Sequence, residues 1–129
     1  VIPEPHEHME YNAIQSISDP DTYDAYVYTP PSSKEGKKFP LIVYLHAASQ
    51  MGGDLSKTLD PTAVGTPLYE VWSKRAPVEL GRHFIVAGPH SVGEWDSGKV
   101  LKFLDFLLSP QSELPIDATR ISIMGWAEG

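Results

Sequence analysis

The residues of this sequence that could carry chemistry gather at its last nine positions and at a few histidines. Ile121-Ser122-Ile123-Met124 runs into Gly125-Trp126-Ala127-Glu128-Gly129. An apolar run with Ile at alternate positions, followed by Gly-x-Ala-x-Gly, reads as a buried strand entering a tight turn whose glycines let two stretches of backbone pass close together. With serine in the middle, that spacing is a nucleophile elbow. The hydroxyl projects from a strained strand-to-helix turn, and the next backbone N–H helps to bind an oxyanion. The middle residue is Ala127, whose methyl group cannot attack a carbonyl; Glu128 follows it and supplies the N–H, with a nucleophilic role for its own carboxylate disfavoured. Serine hydrolysis by this stretch alone is not expected, because neither the helix that should follow nor the acid and histidine of a triad comes before Gly129.

The other candidates each have a plainer reading. His46 closes an apolar run and is expected to orient the loop behind it by a hydrogen bond rather than to move protons. His83 and His90 could exchange protons near neutral pH, but strand-end histidines are usually half-exposed bystanders. His6 and His8 could share a metal from one side of an extended segment; without further ligands nearby, a solvated arm is the reading favoured. Gly52-Gly53-Asp54-Leu55-Ser56-Lys57-Thr58 has the look of a phosphate loop, but the glycine spacing that lets backbone wrap a phosphate is missing. Trp72, Trp95 and Trp126 are assigned to packing rather than to a sugar platform, and Asp54 and Asp96 to caps or loop anchors. No cofactor and no metal is expected.

Composition narrows the classes. A chain of 129 residues makes one domain that buries roughly two thirds of its unfolded surface. At 41% hydrophobic and 21% charged it has ordinary globular values, so it folds. The net charge of −7 argues against nucleic acid and anionic membrane surfaces, which need concentrated Lys and Arg. Cysteine is absent, which removes disulfides, thiolate metal sites and a Cys nucleophile and fits a reducing compartment. No apolar run has the length of a transmembrane segment; Leu41 to Leu45 is strand-sized. A soluble protein is expected, and the start at Val1 without methionine is compatible with removal of an N-terminal leader.

These residues need elements to position them. Residues 1–10 are Pro-punctuated and polar and form an N-terminal arm. Tyr11 to Ser18 and Thr22 to Thr29 alternate Tyr, Val and Ile with polar residues around the turn signal Asp19-Pro20-Asp21, which predicts a β-hairpin with one wet face. A Pro-, Ser- and Lys-rich loop over 30–38 follows. Leu41-Ile42-Val43-Tyr44-Leu45 is apolar throughout, the signature of a parallel strand covered on both faces. Pro67 with Leu68, Val71 and Trp72 at helical spacing predicts a helix over 66–75. His83 to Gly88 predicts a second covered strand. Over 97–108, Val100, Leu101, Leu104, Leu107 and Leu108 form one helical stripe widened by Phe103 and Phe106, with Asp96 or Ser97 as cap. A linker through Ile116 to Arg120 leads to the last strand. Strands alternating with helices predict an α/β fold with right-handed crossovers and a mostly parallel sheet.

Taken together, Phe39-Pro40-Leu41-Ile42-Val43-Tyr44-Leu45-His46, the strand-end His83-Phe84-Ile85-Val86-Ala87-Gly88-Pro89, Trp95-Asp96 before the Val100 to Leu108 helix, and Ile116-Asp117 through Arg120-Ile121 to Gly129 resemble the N-terminal half of an α/β-hydrolase. The pattern is most similar to the esterase branch that includes polyhydroxybutyrate depolymerases and feruloyl esterases, and it extends over 11–129. The resemblance implies a partial α/β-hydrolase domain: an antiparallel hairpin, then parallel strands with crossover helices, closing on the elbow. It also implies that His46 begins a His-Gly-x-Gly loop whose glycines offer an N–H to the oxyanion. This sequence has His46-Ala47-Ala48-Ser49 instead, so Ala47 and Glu128 stand at the backbone positions of a degraded oxyanion hole. Loss of a triad nucleophile costs about six orders of magnitude in turnover, and a damaged oxyanion hole removes much of what is left.

Two functional readings result. The favoured one is a catalytically inactive hydrolase-like protein that serves as a structural or accessory subunit of a larger assembly. The other is the N-terminal fragment of a serine carboxylesterase-type hydrolase in which Ala127 replaces the nucleophile. In both, a strand over 121–124 with nothing beyond it has an unpaired apolar edge, which another polypeptide segment, of the same chain or a separate one, is expected to cover.

Overall fold

In the computed structural model the described residues are 14–19, 21–30, 36–46, 52–53, 55–59 and 65–125. Two strands open the fold, β1 (Ile14–Ser18) and β2 (Asp24–Tyr28), paired antiparallel with Ser18 opposite Asp24 and Ile14 opposite Tyr28. Asp19 makes the turn between them. Its carboxylate accepts from the Thr22 hydroxyl at 2.7 Å and its carbonyl from the Thr22 N–H at 3.0 Å, a local pairing that holds the chain in the reversal. The antiparallel pairing is as expected where described, with residues 11–13 outside the described residues.

Three parallel strands complete the sheet: β3 (Phe39–Leu45), β4 (Ile85–His90) and β5 (Ile116–Gly125), in the order β1-β2-β4-β3-β5. Helices lie on both faces. On one, α3 (Ser97–Leu108) presses Val100, Phe103 and Leu107 against Ala25, Val27, Leu41, Val43, Ile85 and Ala87. On the other, α1 (Pro67–Trp72) and α2 (Val78–His83) place Leu68, Val71 and Leu80 with Tyr28 and Val86. The buried apolar side chains contribute about 1.5–3 kcal/mol each before chain entropy is counted.

Several local expectations need correction. α1 stops at Trp72, not at Arg75, because Lys74 takes a left-handed backbone with φ 68° and breaks the helical path. His83 ends α2 instead of opening β4; α2 has no fully buried residue, so no apolar stripe marks it in the sequence. In α3 the inward stripe is Val100, Phe103 and Leu107, while Leu101 is 61% and Leu108 38% exposed. Of the two caps expected, Asp96 is the one used, accepting from the Gly98 N–H at 2.8 Å. The stretch 116–120 belongs to β5, with Phe39 opposite Ile116 but Leu41 opposite Ile121. The extra β5 residues are gathered by Asp117, whose carboxylate accepts from the Thr119 N–H at 3.0 Å and hydroxyl at 2.6 Å and from Arg120 Nε at 2.8 Å.

Strand coverage also differs from what apolar content suggests. β4 is buried at every residue, whereas β3 buries Phe39, Leu41, Val43 and Leu45 but leaves Pro40, Ile42 and Tyr44 half-covered. The reason is placement: α1 and the 3₁₀ turn Leu55–Leu59 make their main contacts with β2 and β4. In the hairpin it is β1 that is wet, while β2 buries both Val27 and Tyr28 and so has no solvent face at that end.

Candidate functional site

Because β3, β4 and β5 run parallel, their carboxyl ends come out at one edge of the sheet, where open α/β sheets bind ligands. Leu45 is paired with Gly125 there. In the sequence Ala47 follows the end of β3, and Ala127 and Glu128 follow the end of β5. These three candidates, with Trp126, Asp54, His6 and His8, lie outside the described residues. His46 is described and is 2% exposed.

His46 is held on several sides. Its Nε2 accepts the backbone N–H of Ser91 at 2.9 Å, its carbonyl accepts the indole N–H of Trp95 at 3.0 Å, and its ring lies 4.7 Å from the Trp95 ring and 5.4 Å from that of His90. A backbone N–H can only donate, so Nε2 bears no proton and the imidazole is neutral with its hydrogen on Nδ1. An Nε2 used in this way can take a proton from a reacting group only by giving up Ser91.

His90 is the reverse case. It is 8% exposed rather than half-exposed, and its Nε2 donates to the Gly52 carbonyl at 2.8 Å. The Gly52 N–H in turn reaches the Ser91 carbonyl at 3.4 Å, and the Ser91 hydroxyl donates to the Gly93 carbonyl at 2.7 Å. Trp95 packs edge-on against Tyr23 with ring centroids 5.2 Å apart, as a packing residue should. The Tyr23 hydroxyl accepts the Asp96 N–H at 3.4 Å, and burial, more than its electrostatic contact with Asp96, raises its pKa above the ordinary tyrosine value. Trp72 stands apart on α1, 37% exposed beside Tyr69, and His83 is exposed at the end of α2.

Ser91 and Trp95 are the partners that sequence reasoning missed. Nothing in the local sequence marks Ser91, and Trp95 stands out there only as a packing residue; the pairing of β3 beside β4 is what brings residue 46 to residues 91 and 95. Next to His46 a cavity of about 10 Å³ is lined by Tyr44, Thr58, Thr66, Leu68 and Pro89, room for no more than one water molecule. Burial raises the pKa of Tyr44, so its hydroxyl stays protonated at neutral pH. Among the described residues no three His, Asp or Glu side chains are grouped to hold a metal ion. No helix among them is long and apolar enough to cross a membrane.

A five-stranded mixed sheet with an antiparallel hairpin at one side and crossover helices on both faces is an α/β-hydrolase-like fold. No family model and no curated protein sequence matches the chain. Solved structures do: a thermostable esterase at 21% identity and a TM-score of 0.58, and a ferulic acid esterase at 17% identity and 0.54. Each comparison covers 90% of this chain but only 34% and 49%, respectively, of the other, so the chain spans between a third and a half of these esterases. At such identities the likeness is one of fold.

Proposed function

We propose that this chain is a catalytically inactive α/β-hydrolase-like protein that does not turn over esters, and that it acts as a structural or accessory subunit of a larger assembly. The observation that carries the reading is a residue type in context: the end of β5 at Gly125 pairs with the end of β3 at Leu45, and two positions further along the sequence, where the resemblance expects a serine with its attacking oxygen, stands Ala127. Acyl transfer needs that oxygen and a pair of N–H donors aimed at the developing negative charge. By the resemblance, Ala47 and Glu128 stand at the sequence positions expected to supply those donors, and His46 serves as structural support, its Nε2 engaged by Ser91. The lineage we infer is the depolymerase and feruloyl-esterase branch of carboxylic ester hydrolases.

Another polypeptide segment lies, in this reading, along the outer edge of β5. What supports it is exposure: Ile123 is 46% and Met124 45% exposed, on opposite faces of a strand that pairs, among the described residues, with β3 alone. A bare apolar strand edge is a template for pairing. The test is hydrolysis of a p-nitrophenyl ester by the purified protein, with native mass measurement of what accompanies it. Turnover at background, no labelling by a serine-reactive phosphonate and a stable heavier assembly are expected; phosphonate-sensitive turnover would overturn the reading.

A second reading is favoured by the partial coverage of both esterases: the chain is the front part of a serine carboxylesterase in which Ala127 replaces the nucleophile. Sequencing the native transcript around codon 127 and past codon 129 separates the two. Serine at 127 with a downstream Asp and His supports the second reading; alanine followed by a stop supports the first.

A further inference from the structure

His46 stands at the end of β3 and bonds to Ser91 behind β4; His90 ends β4 and bonds to Gly52 behind β3. Each histidine thus reaches across to the loop that follows the other's strand, and the Gly52 N–H to Ser91 carbonyl contact closes the circuit. We infer that His46 and His90 form a crossed latch that ties the end of β3 and Gly52 to the end of β4 and Ser91, and that acid opens it at the His46 arm.

The two arms respond differently to protons. His90 donates through Nε2 to a carbonyl, a bond that the neutral ring and the imidazolium both make. His46 accepts through Nε2, and a protonated Nε2 would point its hydrogen at the Ser91 N–H. Protonation of His46 and its bond to Ser91 are therefore mutually exclusive. The new charge would also sit 5.4 Å from the His90 ring in a site nearly closed to water. Among the described residues, the titratable groups that face His46 include His90 from β4 and Tyr44 from β3, which lines the same cavity; on the far side of Trp95 stand Tyr23 and Asp96. Tyr44 and Tyr23 remain neutral across the acid range because burial pushes both hydroxyls upward. The cross-ties at Ser91 and Gly52 require nothing of residue 127, so the latch stands independently of the functional reading above.

The sign follows from the exclusion: the latch holds when His46 is neutral and opens as pH falls through its protonation. The test is NMR on the uniformly ¹⁵N-labelled protein between about pH 8 and about pH 4, the span over which histidine changes charge. At the upper end, His46 Nε2 is expected to give the shift of an unprotonated ring nitrogen and His90 Nε2 that of a protonated one. Amide-exchange protection of Ser91 should fall at least about tenfold in step with His46 protonation, while Ile85 and Val86 within β4 keep theirs. His46→Gln keeps an acceptor oxygen that does not titrate, and should abolish the step. A protonated His46 Nε2 at the upper end, Ser91 protection indifferent to the charge on His46, or a His46 that stays neutral until the whole sheet unfolds would each overturn the inference. Should the glutamine variant not fold, the coincidence or separation of the two wild-type titrations decides.

Discussion

Gly88 on β4 lies so close to Leu68 on α1 that a Cβ at position 88 would stand 2.9 Å from Leu68 Cδ2. Leu68 is 2% exposed and packs in the cluster of Tyr28, Val71 and Val86. The absent side chain is what lets α1 settle on the sheet beside His46, in the wall of the small cavity.

Gly88→Ala should therefore destabilise the fold by about 1–3 kcal/mol, the usual cost of overpacking. Leu68→Ala should cost about 2–5 kcal/mol by leaving a cavity. The pair should be worth less than the sum, because the shortened residue 68 makes room for the new methyl group. Urea denaturation of the two single variants and the double variant measures the coupling; strict additivity would mean that the two do not share space.

Much of the fold is legible in the sequence because burial leaves a periodic trace. The alternation around Asp19, the run Leu41 to Leu45 and the 100/103/107 spacing each report an apolar surface directly. α2 leaves no such trace, since none of its residues is fully buried, and Leu101 and Leu108 mislead because the apolar stripe is wider than the face that packs. The site is legible only at its strand ends. His46 stands out by following an apolar run, but Ser91 and Trp95 meet it through strand order, a long-range property that no local pattern records.

Asp96 offers a second test, on the helix that carries the main core. Its carboxylate accepts from the Gly98 N–H at 2.8 Å and the Lys99 N–H at 3.4 Å, satisfying donors that have no partner within the helix. Asp96→Ala should cost about 1 kcal/mol, and Asp96→Asn clearly less, because an amide oxygen still caps. Thermal unfolding followed by circular dichroism distinguishes them; equal losses would assign the effect to charge instead.

Asp117 predicts a pH dependence. Hydrogen bonds from the Thr119 hydroxyl, then from the Thr119 N–H and from Arg120, hold its pKa down to about 2 from an ordinary 3.8. A carboxylate depressed in the folded state stabilises it above the unfolded value, and that contribution disappears as pH falls from about 3.8 to about 2. The stability gap between the protein and its Asp117→Asn variant should accordingly narrow over that interval and be flat above it. Carboxyl-carbon NMR gives the midpoint directly, and a value near 3.8 would show that the Asp117-Thr119-Arg120 turn does not persist in solution.

The outer edge of β5 separates folding from assembly. Ile123 and Met124 project to opposite faces yet are both nearly half exposed, so neither contributes much to the core of the described sheet. Replacing an exposed strand residue away from packed features usually changes stability by no more than about 0.5 kcal/mol. A charge on a strand edge, by contrast, is a common means of preventing another strand from adding to it. Ile123→Lys and Met124→Lys should thus leave the urea midpoint nearly unchanged while releasing whatever segment pairs with β5. Native mass spectrometry should show loss of the heavier species if that segment is a separate chain. If it belongs to the same polypeptide, faster amide exchange confined to the outer edge of β5 should appear instead. A large drop in stability with neither change would place both side chains in a core that the exposed edge does not provide.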